Sequence, residues 1–279
     1  MALRYSRVTA TGVPAATELS MSEETGTHES GTNPESPFLD RSPIETACAL
    51  TLLAEGEADL VGRMPYSSNA TFLVDLHHDG LRAQAIYKPA AGERPLWDFP
   101  DGLYQREVAA FKVDDMLGWG LVPPTIVRKD LVHGIGSLQL FMPNDHEEHY
   151  FSLHETDDTH DDSFRRICVL DLVINNTDRK SGHCLLGTDG RIWAIDHGVA
   201  LHHEFKLRTV IWDFAGDWID DEICDDLWRF LAEDLPGPLS ELLSPLERDA
   251  MRTRARAVAT ARRFPEDDTG GRRWPWPLV

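Results

Sequence analysis

Between Glu57 and Lys88 apolar and polar residues alternate, a period that predicts strands rather than helices. Three strands are expected: Glu57–Arg63, Thr71–His77 and Leu81–Lys88, the last two joined by a hairpin turn at His78-Asp79-Gly80. A small-residue tip, Met64–Ala70, links the first strand to the second. From Leu103 the period lengthens. Val108, Phe111 and Leu117 fall on one face of an amphipathic helix that stops at Gly118 and Gly120. Val122–Arg128, with prolines at its start, reads as an edge strand, and Ile135–Met142 as a more apolar one. A helix over Ile44–Ala54 precedes the block, with Ser42 as cap, Pro43 in its first turn and Glu45 completing a capping box.

The pattern breaks at Pro143. Pro143–Asp162 is rich in acids and carries His146, His149, His154 and His160. Its spacings fit no compact helical pair of metal ligands, so a solvated linker between two lobes is expected. Helical periodicity returns with Ser163 as cap and Phe164–Ile174, followed by a polar loop, Asn175–His183. A short hairpin turning at Asp189-Gly190 leads into Ile195-Asp196-His197-Gly198. Leu207–Ala215 is apolar, and helices are expected near Asp221–Glu233, Pro238–Leu243 and Pro245–Arg263. The last of these holds Arg252, Arg254, Arg256, Arg262 and Arg263, read as its solvated face.

Composition narrows the classes. Residues 1–41 are rich in Ser, Thr, Glu, Gly and Pro and poor in large apolar groups, so they are expected to be a disordered tail. The expected division is this tail, an N-terminal lobe over 42–142, the linker 143–162, a C-terminal lobe over 163–264 and a tail over 265–279 that packs its tryptophans on the surface or stays loose. The formal net charge of −20 argues against a nucleic-acid partner, whose phosphates need a basic surface, and against membrane association. Cys48, Cys168, Cys184 and Cys224 form no C-x-x-C pair, there is no apolar leader, and no stretch approaches the length of a membrane span. A reduced, cytoplasmic protein is expected.

Candidate chemistry lies at the edges of the apolar segments. Asp178 and Asp196 suit a base and a metal ligand facing one phosphate. Lys88 closes the third strand; it either frays into solvent before Pro89 or points inward and meets an anion. Glu107, early in the following helix, is either a favourable first-turn acid or the ion-pair partner that aims Lys88 at a nucleotide. The tip Ser67-Ser68-Asn69 is a turn that can also lay backbone N–H groups over phosphates.

These pieces follow in the order strand, Ser/Asn turn, strand with Lys, helix with Glu, strand pair, helix, Asp loop, hairpin, Asp-x-Gly. There is no H-R-D and no glycine triad of ordinary protein kinases. Tyr87-Lys88-Pro89, Arg106-Glu107-Val108-Ala109-Ala110, Leu121-Val122-Pro123-Pro124-Thr125, Asn176-Thr177-Asp178-Arg179 and Ala194-Ile195-Asp196-His197-Gly198 resemble motifs of the phosphatidylinositol 3-/4-kinase superfamily. The likeness is nearest to type II phosphatidylinositol 4-kinases and their uncharacterised bacterial relatives, and covers roughly residues 57–220. It implies an α+β, two-lobed, protein-kinase-like fold with an antiparallel sheet lobe and a mostly helical C-terminal lobe. It also implies ATP as partner and Mg²⁺ as cofactor, with Mn²⁺ as an alternative. Tyr66–Asn69 would cover the phosphates, Lys88 oriented by Glu107 would hold the α and β phosphates, and the stretch holding Gln139, Phe141 and Met142 would form the hinge under adenine. Asp178 would accept the proton of an acceptor hydroxyl on a protein or small molecule, and Asp196 would hold the metal.

This sequence departs from the family at His183, where the second metal ligand is usually Asn. Mg²⁺ prefers oxygen, so an imidazole there would bind Mn²⁺, contact a phosphate, or leave the second metal lost. Lys180 also replaces the usual His of the loop. The leading expectation is a kinase. The alternative is a pseudokinase that binds nucleotide without transferring phosphate.

Overall fold

The computed structural model describes residues 42–65, 67, 69–268 and 273–279. The expected tail 1–41, along with Tyr66 and Ser68, lies outside the described residues. The first helix, α1, runs Thr46–Glu55, with Glu45 at the cap position rather than Ser42. Five strands follow: β1 Glu57–Arg63, β2 Phe72–His78, β3 Leu81–Pro89, β4 Thr125–Arg128 and β5 Gly136–Leu140. They form one antiparallel sheet in the order β1-β2-β3-β5-β4, which leaves the proline-flanked β4 at an edge, as its sequence requires. Ala49, Leu52 and Leu53 of α1 pack on Val74, Tyr87 and Leu138 of the sheet to make one core.

Helix α2, Leu103–Leu117, lies between β3 and β4 in the chain but joins a second core. Its Ala110, Phe111 and Val113 pack with Ile167 and Leu170 of α4 (Asp161–Ile174). Glu93 holds the start of α2: its carboxylate accepts from the N–H groups of Gly102, Leu103 and Tyr104, three donors that a helix N-terminus leaves open. Gly118, at φ +76°, ends the helix in the left-handed conformation that glycine allows.

The stretch Pro143–Asp162 is not a solvated linker. It holds the two-residue strand β6, Asn144–Asp145, and the helix α3, Tyr150–Thr156. Tyr150 is fully buried, edge-on to Phe164 at 4.9 Å, and its hydroxyl donates to Asp213 at 2.6 Å. The acids and histidines around it concealed Tyr150 and Leu153 as core positions. α4 accordingly begins at Asp161, ahead of the expected Ser163 cap. β6 pairs with β7 (Cys184–Gly187), which pairs with β8 (Ile192–Ala194), the expected hairpin.

The C-terminal part is helical: α5 Asp221–Ala232, a single turn α6 Gly237–Ser240, and α7 Pro245–Ala261. α7 opens with a capping box in which the Ser244 hydroxyl and the Glu247 carboxylate satisfy each other's backbone N–H. Glu247 also accepts from Arg106, bolting α7 to α2. The arginines of α7 are not simply a solvated face. Arg252 donates to the carbonyls of Leu231 and Glu233, and Arg254 to those of Val173 and His202. Burial lowers the Arg254 pKa to about 10. The C-terminal segment is also tied down: Ser181 donates to the Leu278 carbonyl at 2.8 Å, and Thr209 to that of Arg273 at 2.9 Å. Trp276 nevertheless stands exposed. Among the described residues no helix is long and apolar enough to cross a membrane. The architecture is α+β, an antiparallel five-stranded sheet followed by a mostly helical part.

Candidate active site

The polar loop after α4 is positioned by three side chains pointing inward. Asn175 ends the helix at φ +54°, and its amide bonds the carbonyls of His202 and Glu204 and the N–H of Lys206. Asn176 donates to Asp171 of α4 and accepts from the N–H of Asp178. Arg179 is fully buried; it grips Asp171 with two bonds of 2.9 Å and donates to the carbonyls of His183 and Ile195. It also lies 2.7 Å from Nε2 of the fully buried His197. Burial and the adjacent guanidinium hold His197 well below the usual imidazole range, so Nε2 accepts from Arg179 as the neutral ring. One guanidinium therefore clasps α4, the Asp178 loop and the Asp196 loop together.

Asp178, between Asn176 and Arg179, faces a cleft of about 430 Å³ between the sheet and the helical part. Its lining includes Lys88, Glu107, Asp178, His183 and Asp196, with Ser67, Asn69, Gln139, Phe141 and Met142 further along. Lys88, next to last in β3, does point inward. It bonds Glu107 and lies 2.8 Å from Asp196. Burial alone would lower the Lys88 pKa; the two carboxylates more than offset this and leave it raised. Lys88 in turn holds Asp196 well below the ordinary carboxylate range. Burial raises Glu107 against the pull of Lys88. The second oxygen of Glu107 accepts from the N–H of His197 at 2.9 Å, so this acid of α2 anchors both Lys88 and the Asp-x-Gly loop. Gly198 leaves room beside this acid, since a Cβ there would sit 3.3 Å from Oε1 of Glu107, a tight contact. Asp196 itself adopts φ +61°, a conformation uncommon for a residue with a side chain and concentrated at functional sites.

Asp178 faces the cleft with its carboxylate 2.8 Å from Nζ of Lys180. Burial raises its pKa, with Lys180 and Arg208 pulling the other way. His183 lies at 3.5 Å from Asp196, and burial lowers its pKa to about 4. Asn69 caps Arg94 through its side-chain oxygen, and Ser67 bonds Thr71. Gln139 lines the cleft, but its amide donates to Thr125, so it forms the wall rather than reaching into the space. Beyond it the N–H of Phe141 bonds the Gln84 carbonyl.

Among the described residues no group of three or more His, Cys, Asp or Glu forms a cage for a metal ion. The donors that could hold one are the half-exposed Asp196 carboxylate, which fits a hard divalent ion shared with phosphate oxygens, and the His183 nitrogen, which fits Mg²⁺ poorly. Sequence reasoning missed Asp171 and His197, whose roles depend on partners distant in the chain. It also missed that Lys180 bonds Asp178, although the i, i+2 spacing in the loop was a usable signal.

A sheet-and-helix architecture with Lys, Glu and two Asp side chains around one interlobe cleft is the arrangement of a kinase-like protein. The family model described as "Phosphatidylinositol 3- and 4-kinase" matches residues 109–212, which include Asp178, His183 and Asp196 but begin after Lys88 and Glu107. The chain is 41% identical over 264 residues to Protein Rv2133c of Mycobacterium tuberculosis, covering 81% of this chain and 94% of that protein. It is 31% identical over 140 residues to phosphatidylinositol 4-kinase gamma 3 of Arabidopsis thaliana, spanning 24% of that longer protein. Among solved structures, the Helicobacter pylori proinflammatory kinase CtkA superposes with a TM-score of 0.47 at 11% identity, over 76% of this chain and 94% of that one. The chain therefore carries a phosphatidylinositol 3- and 4-kinase family domain over residues 109–212 and is a relative of Protein Rv2133c along most of its length.

Proposed function

We propose that this chain is an ATP-dependent phosphotransferase acting on a hydroxyl of a protein or small molecule. The observation that carries this reading is the convergence of Lys88, Glu107, Asp178 and Asp196 on one cleft. The sheet part, through Met142, binds the nucleotide, and the helical part over 163–264 supplies the transfer chemistry. Adenine enters beside Phe141 and Met142. Ser67 and Asn69 lie along the phosphates. Lys88, aimed by Glu107, holds the α and β phosphates. Asp178 orients the acceptor hydroxyl and takes its proton. Asp196 would hold Mg²⁺, with His183 a supplementary ligand if the ion is Mn²⁺; the ion supplies charge neutralisation on the phosphate oxygens. Positioning and electrostatics suffice for this chemistry, so few side chains are needed.

A second reading is favoured by His183, which stands where the family places Asn. On that reading the chain binds nucleotide without transferring phosphate. Incubation with γ-labelled ATP and Mg²⁺ or Mn²⁺ separates the two. Label transfer or ATP consumption that Asp178→Asn abolishes supports the phosphotransferase. Nucleotide binding without turnover supports the second reading, and absence of nucleotide binding removes both.

A further inference from the structure

The chain carries a net charge of −20, yet two of its lysines share one groove without a carboxylate to meet them. Of the five lysines, Lys88, Lys180 and Lys206 each bond an acid. Lys112 and Lys129 bond none among the described residues, and both line a groove of about 390 Å³ between α2, β4 and α6. The rest of its lining is largely apolar, with Val108 from α2, Val127 from β4 and Leu242 just beyond α6. Glu241 is the single acid in that lining. Over most of so acidic a surface another acid is repelled. Two unpaired ammonium groups beside an apolar hollow make this a place where one is attracted.

The groove also lies against both elements that hold the Lys88–Glu107 pair. On α2, Tyr104, Val108 and Lys112 recur every four residues and so form one wall, and Glu107 is the immediate neighbour of Val108. On the sheet, Lys88, Ser137 and Val127 stand in one row across β3, β5 and β4. Residues paired in an antiparallel ladder put their side chains on the same face. Val127 and Lys88 therefore face the same way, Val127 into the groove and Lys88 onto Glu107. Because α2 packs in the helical core while β4 belongs to the sheet, an occupant that touches Val108 and Val127 ties together the two sides of the ion pair.

We propose that this groove docks a peptide segment of a partner protein in which apolar side chains stand next to carboxylates, and that docking draws β4 onto α2 and tightens the cleft for nucleotide. The apolar side chains fill the groove, and the carboxylates meet Lys112 and Lys129. The effect on the cleft rests on its nucleotide-binding reading; the docking itself does not. Sites coupled in this way act on each other equally, so the peptide tightens nucleotide by the factor by which nucleotide tightens the peptide.

The test is fluorescence anisotropy of the full chain with short labelled peptides in which leucine and phenylalanine are set among glutamates, against counterparts with lysine for glutamate. Wild type, the double variant Lys112→Glu with Lys129→Glu, and the double variant Lys112→Arg with Lys129→Arg are compared after their unfolding midpoints show them folded. Wild type binds the acidic peptides and not the basic ones. The charge reversal weakens the acidic peptides about tenfold or more, and the arginine variant keeps them. With the tightest peptide bound, affinity for the β,γ-imido analogue of ATP with Mg²⁺, read by calorimetry, rises about five- to tenfold. Acidic peptides that fail to bind, or that bind the charge-reversed variant equally, overturn the docking site. Bound peptide with unchanged nucleotide affinity overturns the coupling. A wild type that takes the peptide and no nucleotide defeats the phosphotransferase reading and leaves the docking site standing, a result distinct from either of these.

Discussion

Arg179 and its two neighbours occupy successive positions of one loop and live in opposite environments. Behind the loop, Arg179 has no exposed surface, five donor contacts and one fixed carboxylate, Asp171. In front, Asp178 and Lys180 are part-exposed and meet each other by a single contact. The rear charges cannot separate without leaving a buried charge unpaired. The front charges can exchange partners at little cost. A rigid rear and an exchangeable front are what a site requires if its reacting groups must be held in place and still accept a highly charged substrate.

The contrast is broken most severely by Arg179→Met. Asp171 would be left buried without its cation, and the expected loss is about 3–5 kcal/mol of unfolding free energy, measured by urea denaturation. A loss under about 1 kcal/mol would mean that the rear cluster is not the clasp described here. Asp114 sharpens the comparison next. It too is a buried acid, but its bonds come from the N–H groups of Leu121 and Val122 and no guanidinium bonds it. Burial raises its pKa from 3.8 to about 7. The folded state thus holds this proton more tightly than the unfolded state. Its contribution to stability is complete below 3.8, falls as the pH rises through about 7, and is flat beyond. Asp114→Asn is expected to be less sensitive to pH than wild type in urea midpoints taken at about pH 5 and about pH 8. A parallel shift in both proteins would contradict the assignment. The smallest effect is expected at Lys206, which bonds Asp98 at 3.2 Å and lies over the rings of Trp97 and Phe99. Lys206→Ala should cost no more than about 1 kcal/mol, because both charges are partly solvated. A larger loss in the melting curve would show that a partly solvated pair is held as tightly as the buried rear one.

Much of this arrangement is legible in the sequence because it is local. Alternation located β1, β2 and β3, the 3.6-residue period and glycine stop gave α2 its bounds, and Asp189-Gly190 marked the hairpin between β7 and β8. For Lys88, at the end of an apolar strand, the sequence left open whether it frays into solvent or turns inward, and its bonds to Glu107 and Asp196 decide for the second. What stayed hidden is non-local or disguised. No periodicity says that Asp171, one polar position in an apolar helix, faces Arg179, or that His197 receives the same guanidinium. In Pro143–Asp162 the acids and histidines outweighed Tyr150 and Leu153, so a core helix resembled a linker. The arginines of α7 looked solvated because their acceptors are backbone carbonyls of α5, α4 and the loop after β8, which carry no sequence signal.

The central claim is that the cleft holds ATP and that Asp178 moves its terminal phosphate. It is tested most directly by taking wild type and Asp178→Asn through the same pair of readings, the thermal unfolding midpoint with ATP and Mg²⁺, and ATP consumption. Both proteins are expected to be stabilised by nucleotide, since ligand that binds only the folded state raises the midpoint. Only the wild type is expected to consume ATP. Stabilisation of neither protein, or equal consumption by both, would contradict the account.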